Sequence, residues 1–281
     1  MPGGNPASFE RFGHWRGRRI DVAAIWTAQE HWSDIVQPTW LYRAWRHTPM
    51  VKVISLPMLP TEDRSASMAG CARGEYDGKW ATFARTIQAA GMERGTIIRL
   101  GWEFNGDWQK WSARSPHQFR SCWRHIVGTA ERIAPALRWD WTVNRGIGHA
   151  LKDARKAWPG NAYVDIVGVD SYDMWPAVTT SAAWHQQVNG AFGLNFWLDF
   201  ARAHHKKLSV PEWGIYPGSA HAGHNGGDNA YYMKRMHQFF SSNGSMIAYE
   251  AYFNESASYY RGSIYGPNQN PRAARAYQGV Y

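Results

Sequence analysis

Apolar positions along this chain fall into two alternating rhythms. Seven short runs read as strands: Ile20-Asp21-Val22-Ala23-Ala24-Ile25-Trp26, Met50 to Leu56, Thr96-Ile97-Ile98-Arg99-Leu100, Leu137 to Asn144, Val164 to Tyr172, Leu208 to Glu212 and Met246 to Asn254. Thr96 to Leu100 is β-branched and apolar, as expected of a buried strand, and Pro57 and Pro60 stop the run before it. Between them the spacing changes to three and four. A helix is expected from Asp77 to Ala90, with Trp80, Phe83, Ala84 and Ile87 inward and Gly91 placed to end it. Ser115-Pro116-His117-Gln118 is a capping box with proline at the first helical position, and Phe119, Trp123, Ile126, Val127, Ala130 and Ile133 form the stripe that follows. Further helical patterns run through Trp40 and Trp45, from Ser181, from Leu194 to His205, after Asp228 as cap, and from Pro271.

Strand and helix alternate from end to end without a composition break or a repeat. That pattern predicts one α/β domain over residues 1–281, built on a parallel sheet that is either open or closed. Eight strands would need one more before residue 20. Only Ser8 to Trp15 is available and it is a poor strand, so the first strand is expected to be short and irregular or trimmed away.

Composition adds one strong feature, 17 tryptophans in 281 residues. Several sit beside Gly, Pro, Asn or Asp in loop-like segments, where flat indoles can stack on sugar rings, while others must fill the interior. The 31 basic and 22 acidic residues leave +9, but the basic ones are scattered and no nucleic-acid motif is present. The excess reads as surface charge, with an anionic ligand as the alternative. No apolar run approaches transmembrane length, so no membrane partner is expected.

Chemistry concentrates where strands end. Arg99-Leu100-Gly101-Trp102-Glu103 leaves a buried strand for a loop holding Asn105, Trp108 and Trp111. Strand alternation would put Arg99, Gly101 and Glu103 on one face. A carboxylate ringed by indoles is poorly solvated, which raises its pKa toward what a general acid needs. Asn144 ends another strand, Asp170 and Tyr172 share a face of a third, and Glu212 with Trp213 ends a fourth. Two glutamates converging from strand ends are the equipment of glycoside hydrolysis, one protonating the leaving oxygen and one attacking or activating water.

Arg99 to Trp108 with Trp111 resembles the acid/base segment of glycoside hydrolase family 26. Pro159 to Tyr172 is similar to that family's sixth-strand segment and Val210-Pro211-Glu212-Trp213-Gly214 to its nucleophile strand, in the same order and spacing. The resemblance implies a retaining (β/α)8 TIM barrel in which Glu103 is acid/base, Glu212 is nucleophile and Tyr172 hydrogen-bonds the nucleophile. It implies an endo-acting enzyme on a β-linked polysaccharide or oligosaccharide, β-1,4-mannan first, needing no cofactor and no metal. Mixed-linkage glucan, xylan or an anionic polysaccharide remain alternatives, as does a non-catalytic carbohydrate-binding barrel. Trp102 stands where the family usually has histidine, which loosens the inference to mannan more than that to hydrolysis.

Other residues expected to touch substrate are Arg99, Trp102, Asn105, Trp108, Trp111, Asn144, Asp170, Tyr172, Trp175, Trp213 and Tyr252. Arg99 is read as orienting a carboxylate more than gripping sugar. Tyr249 and Tyr252 differ in parity and should not both point inward. His221 and His224, in a glycine-rich loop, are read as part of a substrate-side loop rather than as metal ligands. The protein is expected to be a secreted monomer whose export signal is absent from this sequence. Its two cysteines, Cys71 and Cys122, could be free thiols, but so few in an exported enzyme are expected to pair.

Overall fold

A computed structural model describes residues 4–218 and 223–281. The elements in order are α1 (Pro6–Arg16), β1 (Val22–Trp26), α2 (Trp32–Val36), α3 (Thr39–Trp45), β2 (Val51–Leu56), α4 (Met68–Ala72), α5 (Asp77–Ala89), β3 (Thr96–Leu100), α6 (Pro116–Glu131), β4 (Arg138–Asn144), β5 (Ile166–Tyr172), α7 (Ser181–Asn189), α8 (Leu194–Ala203), β6 (Lys207–Gly214), α9 (Ala230–Ser242), β7 (Ile247–Tyr252) and α10 (Pro271–Gln278). Among the described residues the seven strands form one sheet in chain order, β1 to β7. All seven expected strands are present. By Cα proximity the chain divides into two compact units, Ala24–Gly168 and the residues up to Ala23 together with Val169–Tyr281.

In the unit Ala24–Gly168, β2, β3 and β4 are parallel neighbours, with Leu56 beside Leu100 and Arg99 beside Asp140. Every residue of β3 is buried, as a strand covered on both faces requires. The apolar stripe of α5 (Trp80, Phe83, Ala84, Ile87) and that of α6 (Phe119, Trp123, Ile126, Val127, Ala130) are wholly enclosed. Ser115 caps α6 with Pro116 at its first position. Cys71 and Cys122 form a disulfide, Cα to Cα 4.8 Å, so that pairing is borne out. Cys71 lies in the short helix α4, not in a loop.

In the other unit, β6 and β7 pair in parallel with two register irregularities. Tyr249 and Tyr252 are both buried, which a strand covered on both faces allows for residues of opposite parity. Residues 8–15, the sole candidate for an eighth strand, are helical. Asn5 caps α1, Pro6 opens it, left-handed Gly17 ends it, and Phe9 and Phe12 are buried. Helix α9 is capped by Asn229 rather than Asp228. The Asp228 carboxylate instead accepts from the N–H groups of Arg272 (2.9 Å) and Ala273 (2.7 Å), the first two that α10 offers after Pro271.

Candidate active site

Glu103 is reached by a change of backbone, not by strand alternation. After Leu100 the chain turns, with Gly101 at φ 51° and Glu103 at φ 52°, so the expectation that Arg99, Gly101 and Glu103 share a strand face is corrected. At Gly101 a Cβ would meet the Met58 side chain. For glutamate the left-handed region costs of order 1 kcal/mol or more and persists only when its surroundings impose it. Here they do. The Glu103 N–H donates to the Thr142 carbonyl of β4 at 3.0 Å, and the Gly106 N–H to the Glu103 carbonyl at 2.9 Å. Asn105, buried, accepts from the Asn144 N–H and donates to the Asn144 carbonyl, both at 2.8 Å. Its own carbonyl accepts from Ala150 and Leu151. Both ends of the Asn105 side chain are therefore committed to the chain itself, and Asn144 lends its backbone to the same tie.

Trp108 is 53% exposed, its ring lying against Gly106, and its Nε1–H donates to Glu103 Oε2 at 3.2 Å. One indole thus holds a carboxylate oxygen and offers an open face. Trp111 is different, because it is fully buried with its N–H on the Trp102 carbonyl at 2.9 Å. The Trp102 ring is also buried, 4.8 Å from that of Trp111 and beneath the Arg99 guanidinium at 5.5 Å. Arg99 has no exposure and donates to the hydroxyls of Ser55 (3.1 Å) and Thr142 (3.4 Å); Thr142 passes its proton toward Asp140 at 2.6 Å. The structure accordingly puts Arg99 and Trp111 in the interior rather than on a sugar-facing wall.

In the other unit, Glu212 lies near the end of β6 and is 7% exposed. Its Oε2 accepts the Tyr172 hydroxyl at 2.7 Å, and its N–H donates to Asp170 Oδ1 at 3.0 Å. Asp170 and Tyr172 act from the same face of β5, as expected of alternate residues. The Tyr172 ring is met edge-on by Tyr216, Phe253 and Tyr260, 5.6–6.0 Å away. Tyr260 is anchored through its hydroxyl to the Ile215 carbonyl at 2.8 Å. Burial pushes the Tyr216 and Tyr260 hydroxyls up, so both stay neutral donors. Tyr259 is 67% exposed; burial of its hydroxyl and the nearby charges of Glu255 and Glu212 raise it as well.

Trp213 and Tyr252 are scaffold. Trp213 is fully buried, gives its N–H to the Glu250 carboxylate and packs on Phe240 and Tyr252 at 5.0–5.5 Å. Tyr252 donates to the Gly262 carbonyl at 2.7 Å. Burial drives the Glu250 carboxyl up. Trp175 is 52% exposed at φ 50°, and the His224 imidazole stacks on it at 3.7 Å and 16°. The Trp175 N–H also donates to the His224 carbonyl at 2.9 Å, which fastens the loop after β6 to the loop after β5. His221 lies outside the described residues. Sequence reasoning missed the cluster Tyr216, Phe253, Tyr259 and Tyr260: Phe253 belongs to the last expected strand and the other three to aperiodic segments, and none carries a signal that points toward Tyr172.

Strands and helices in this order define an α/β barrel of the (β/α)8 class, and solved structures share the fold. The Cellulomonas fimi endo-β-1,4-mannanase double mutant superposes with TM-score 0.63 at 19% identity, covering 88% of this chain and 57% of that one. The catalytic domain of the Bacillus sp. JAMB-750 endo-β-1,4-mannanase gives 0.66 at 16%, covering 96% and 78%. The chain belongs to glycosyl hydrolase family 26, whose description matches residues 71–212. A mannan endo-1,4-β-mannosidase of Bifidobacterium adolescentis is 26% identical over 123 residues, 41% of this chain. This chain matches only 12% of that protein's length. Among the described residues no helix is long and apolar enough to cross a membrane.

Proposed function

We propose that residues 1–281 form one catalytic domain, a retaining, endo-acting β-glycoside hydrolase with β-1,4-mannan as first substrate. In this reading Glu212 attacks the anomeric carbon while Glu103 protonates the departing oxygen. Glu103 then takes a proton from the water that releases the glycosyl-enzyme. The observation that carries the reading is the Tyr172 hydroxyl on Glu212 Oε2 at 2.7 Å, beside the Asp170 bond to the Glu212 backbone. The hydroxyl donor fixes one oxygen so that the other presents to substrate. Trp108, holding Glu103 Oε2 with one face open, suits a carboxyl that works beside a sugar ring.

Two carboxyls supply nucleophile and proton, so this chemistry calls for no metal or cofactor. Mannan is proposed because the named relatives are mannanases. Trp102, in place of the histidine usual in the family, keeps other β-glycans in the test. The Cys71–Cys122 bridge supports secretion.

The test is hydrolysis of mannan, mixed-linkage glucan, xylan and uronate polymers, followed by the two alanine variants on an activated aryl glycoside. Glu103→Ala should accumulate glycosyl-enzyme that azide releases as the β-glycosyl azide. Glu212→Ala should lose both steps. An inverted product, or rescue of Glu103→Ala to the α-azide, would overturn the roles.

A further inference from the structure

Within the unit Ala24–Gly168, a cleft of about 490 Å³ opens between α3 and α5. Arg43, Arg46 and Arg85 line it together with Thr82, Thr86 and Tyr42, and no carboxylate does. The three guanidinium side chains are exposed, and among the described residues none has a hydrogen-bond or ion-pair partner. Arg43 and Arg46 sit at the C-terminal end of α3, and the cleft also takes in Ala89 and Ala90 at the end of α5. Two helix C-termini together present about one negative charge, so three guanidiniums leave roughly +2 uncompensated. Beneath them Tyr42 is 2% exposed, and its buried hydroxyl has no partner. Burial pushes that hydroxyl far above its ordinary pKa, so it is a neutral donor without an acceptor. Trp40, 57% exposed, precedes Arg43 by three residues and so neighbours it on the helix surface.

This cleft is not the carboxylate site. Helices α3 and α5 lead into β2 and β3, so their C-terminal turns lie toward the strand starts, whereas Glu103 follows the far end of β3. We propose that the α3–α5 cleft anchors an acidic polysaccharide, its guanidinium forks taking a carboxylate or sulfate group while Trp40 gives the adjoining sugar a flat apolar face. The anion chemistry stands on the cleft alone; the choice of a glycan rests on the hydrolase reading above.

A second basic cleft supplies the control. In the other unit Lys234, Arg272 and Arg275 line a space of about 470 Å³, where the Asp228 carboxylate already takes the free N–H groups of α10. The triple variants R43Q/R46Q/R85Q and K234Q/R272Q/R275Q remove the same charge from different places. Retention of the full chain in gels containing polygalacturonate, dextran sulfate, neutral mannan or single-stranded DNA should be measured at about 0.15 M salt, with sulfate as competitor. Wild type should be retarded by an acidic polymer, the two polymers telling carboxylate from sulfate ester. R43Q/R46Q/R85Q should bind it at least about tenfold more weakly, and the control variant less than about twofold. Equal loss in both variants, no binding of either acidic glycan, or DNA held as tightly as the glycans would overturn the proposal. Aryl-glycoside hydrolysis, followed in parallel, should be unchanged in R43Q/R46Q/R85Q. If wild type showed no hydrolysis yet kept its retention, the hydrolase reading would fail and the anchoring site would stand.

Discussion

Asp173, one residue past β5, makes the fold sensitive to pH. It is fully buried, accepts from the Val178 N–H and from Asn229 Nδ2 at 2.7 Å each, and its backbone joins Gly214 to Gly226. Burial outweighs those donors and raises its carboxyl from 3.8 to about 6. The folded protein therefore holds a proton that the unfolded chain has released. The stabilisation is complete below about pH 4, declines as pH rises through about 6 and is absent above it. At about 1.4 kcal/mol per pH unit the decline amounts to ~3 kcal/mol, or about 5 °C in Tm for a chain of this size. Asp173→Asn abolishes the titration but not without loss. Its amide would face Asn229 Nδ2 donor to donor, and Asn229 cannot turn, because its Oδ1 holds the N–H groups of Tyr231 and Tyr232. One unsatisfied donor costs about 1–3 kcal/mol. Melting of both proteins by circular dichroism from pH 4 to 8 should show the variant less stable at pH 4 and the gap closing or reversing by pH 7. Glu131 and Glu250, also raised by burial, contribute slopes common to both proteins, so the difference curve is what decides. A difference that stays flat from pH 4 to 7 would refute the reasoning.

Trp108→Phe keeps an aromatic face but removes the N–H on Glu103 Oε2. It should lower kcat/KM by about five- to thirtyfold with little change in KM, whereas Trp108→Ala should raise KM as well; wild-type kinetics in the phenylalanine variant would show the bond to be idle. Closing a loop over a separation of 51 residues, the Cys71–Cys122 bridge should contribute about 4 kcal/mol. Cys71→Ser with Cys122→Ser should then melt about 7 °C lower, and an unchanged Tm would rule that out.

Most strands were legible because they carry enough Val, Ile and Leu to declare a buried run, aromatic residues taking that part in Leu137 to Asn144 and Met246 to Asn254, and α5 and α6 because their large apolar residues recur at helical spacing. What escaped was local backbone chemistry. Glu103 could be placed after β3 but not oriented, since two left-handed residues undo the alternation on which parity rests. Asp228 and Asn229 are equally good caps by type, and only the arrival of α10 from 44 residues away assigns one to each helix. Residues 6–16 have a weak pattern in either period, and the decisive signals, Asn5 before Pro6 and Gly17 at the end, are single residues. Tryptophans were the hardest to sort. Trp108 and Trp111 sit in one loop, yet a hydrogen bond to the Trp102 carbonyl draws Trp111 inside while Gly106 leaves Trp108 out.

Asn105 has a consequence for how this protein can change. Because its side chain pairs with both backbone groups of Asn144, the root of the Glu103 turn is clamped to a neighbouring strand as well as by Gly106 and Trp111 of its own loop. What the loop tip gives the carboxylate is the indole bond from Trp108. Exposed tips on clamped roots are where chains accept insertions and exchanges. New residues between Asp107 and Lys110 would reshape what the protein recognises while Asn105 keeps the Glu103 backbone in place, but they would act on the carboxylate wherever they displaced Trp108.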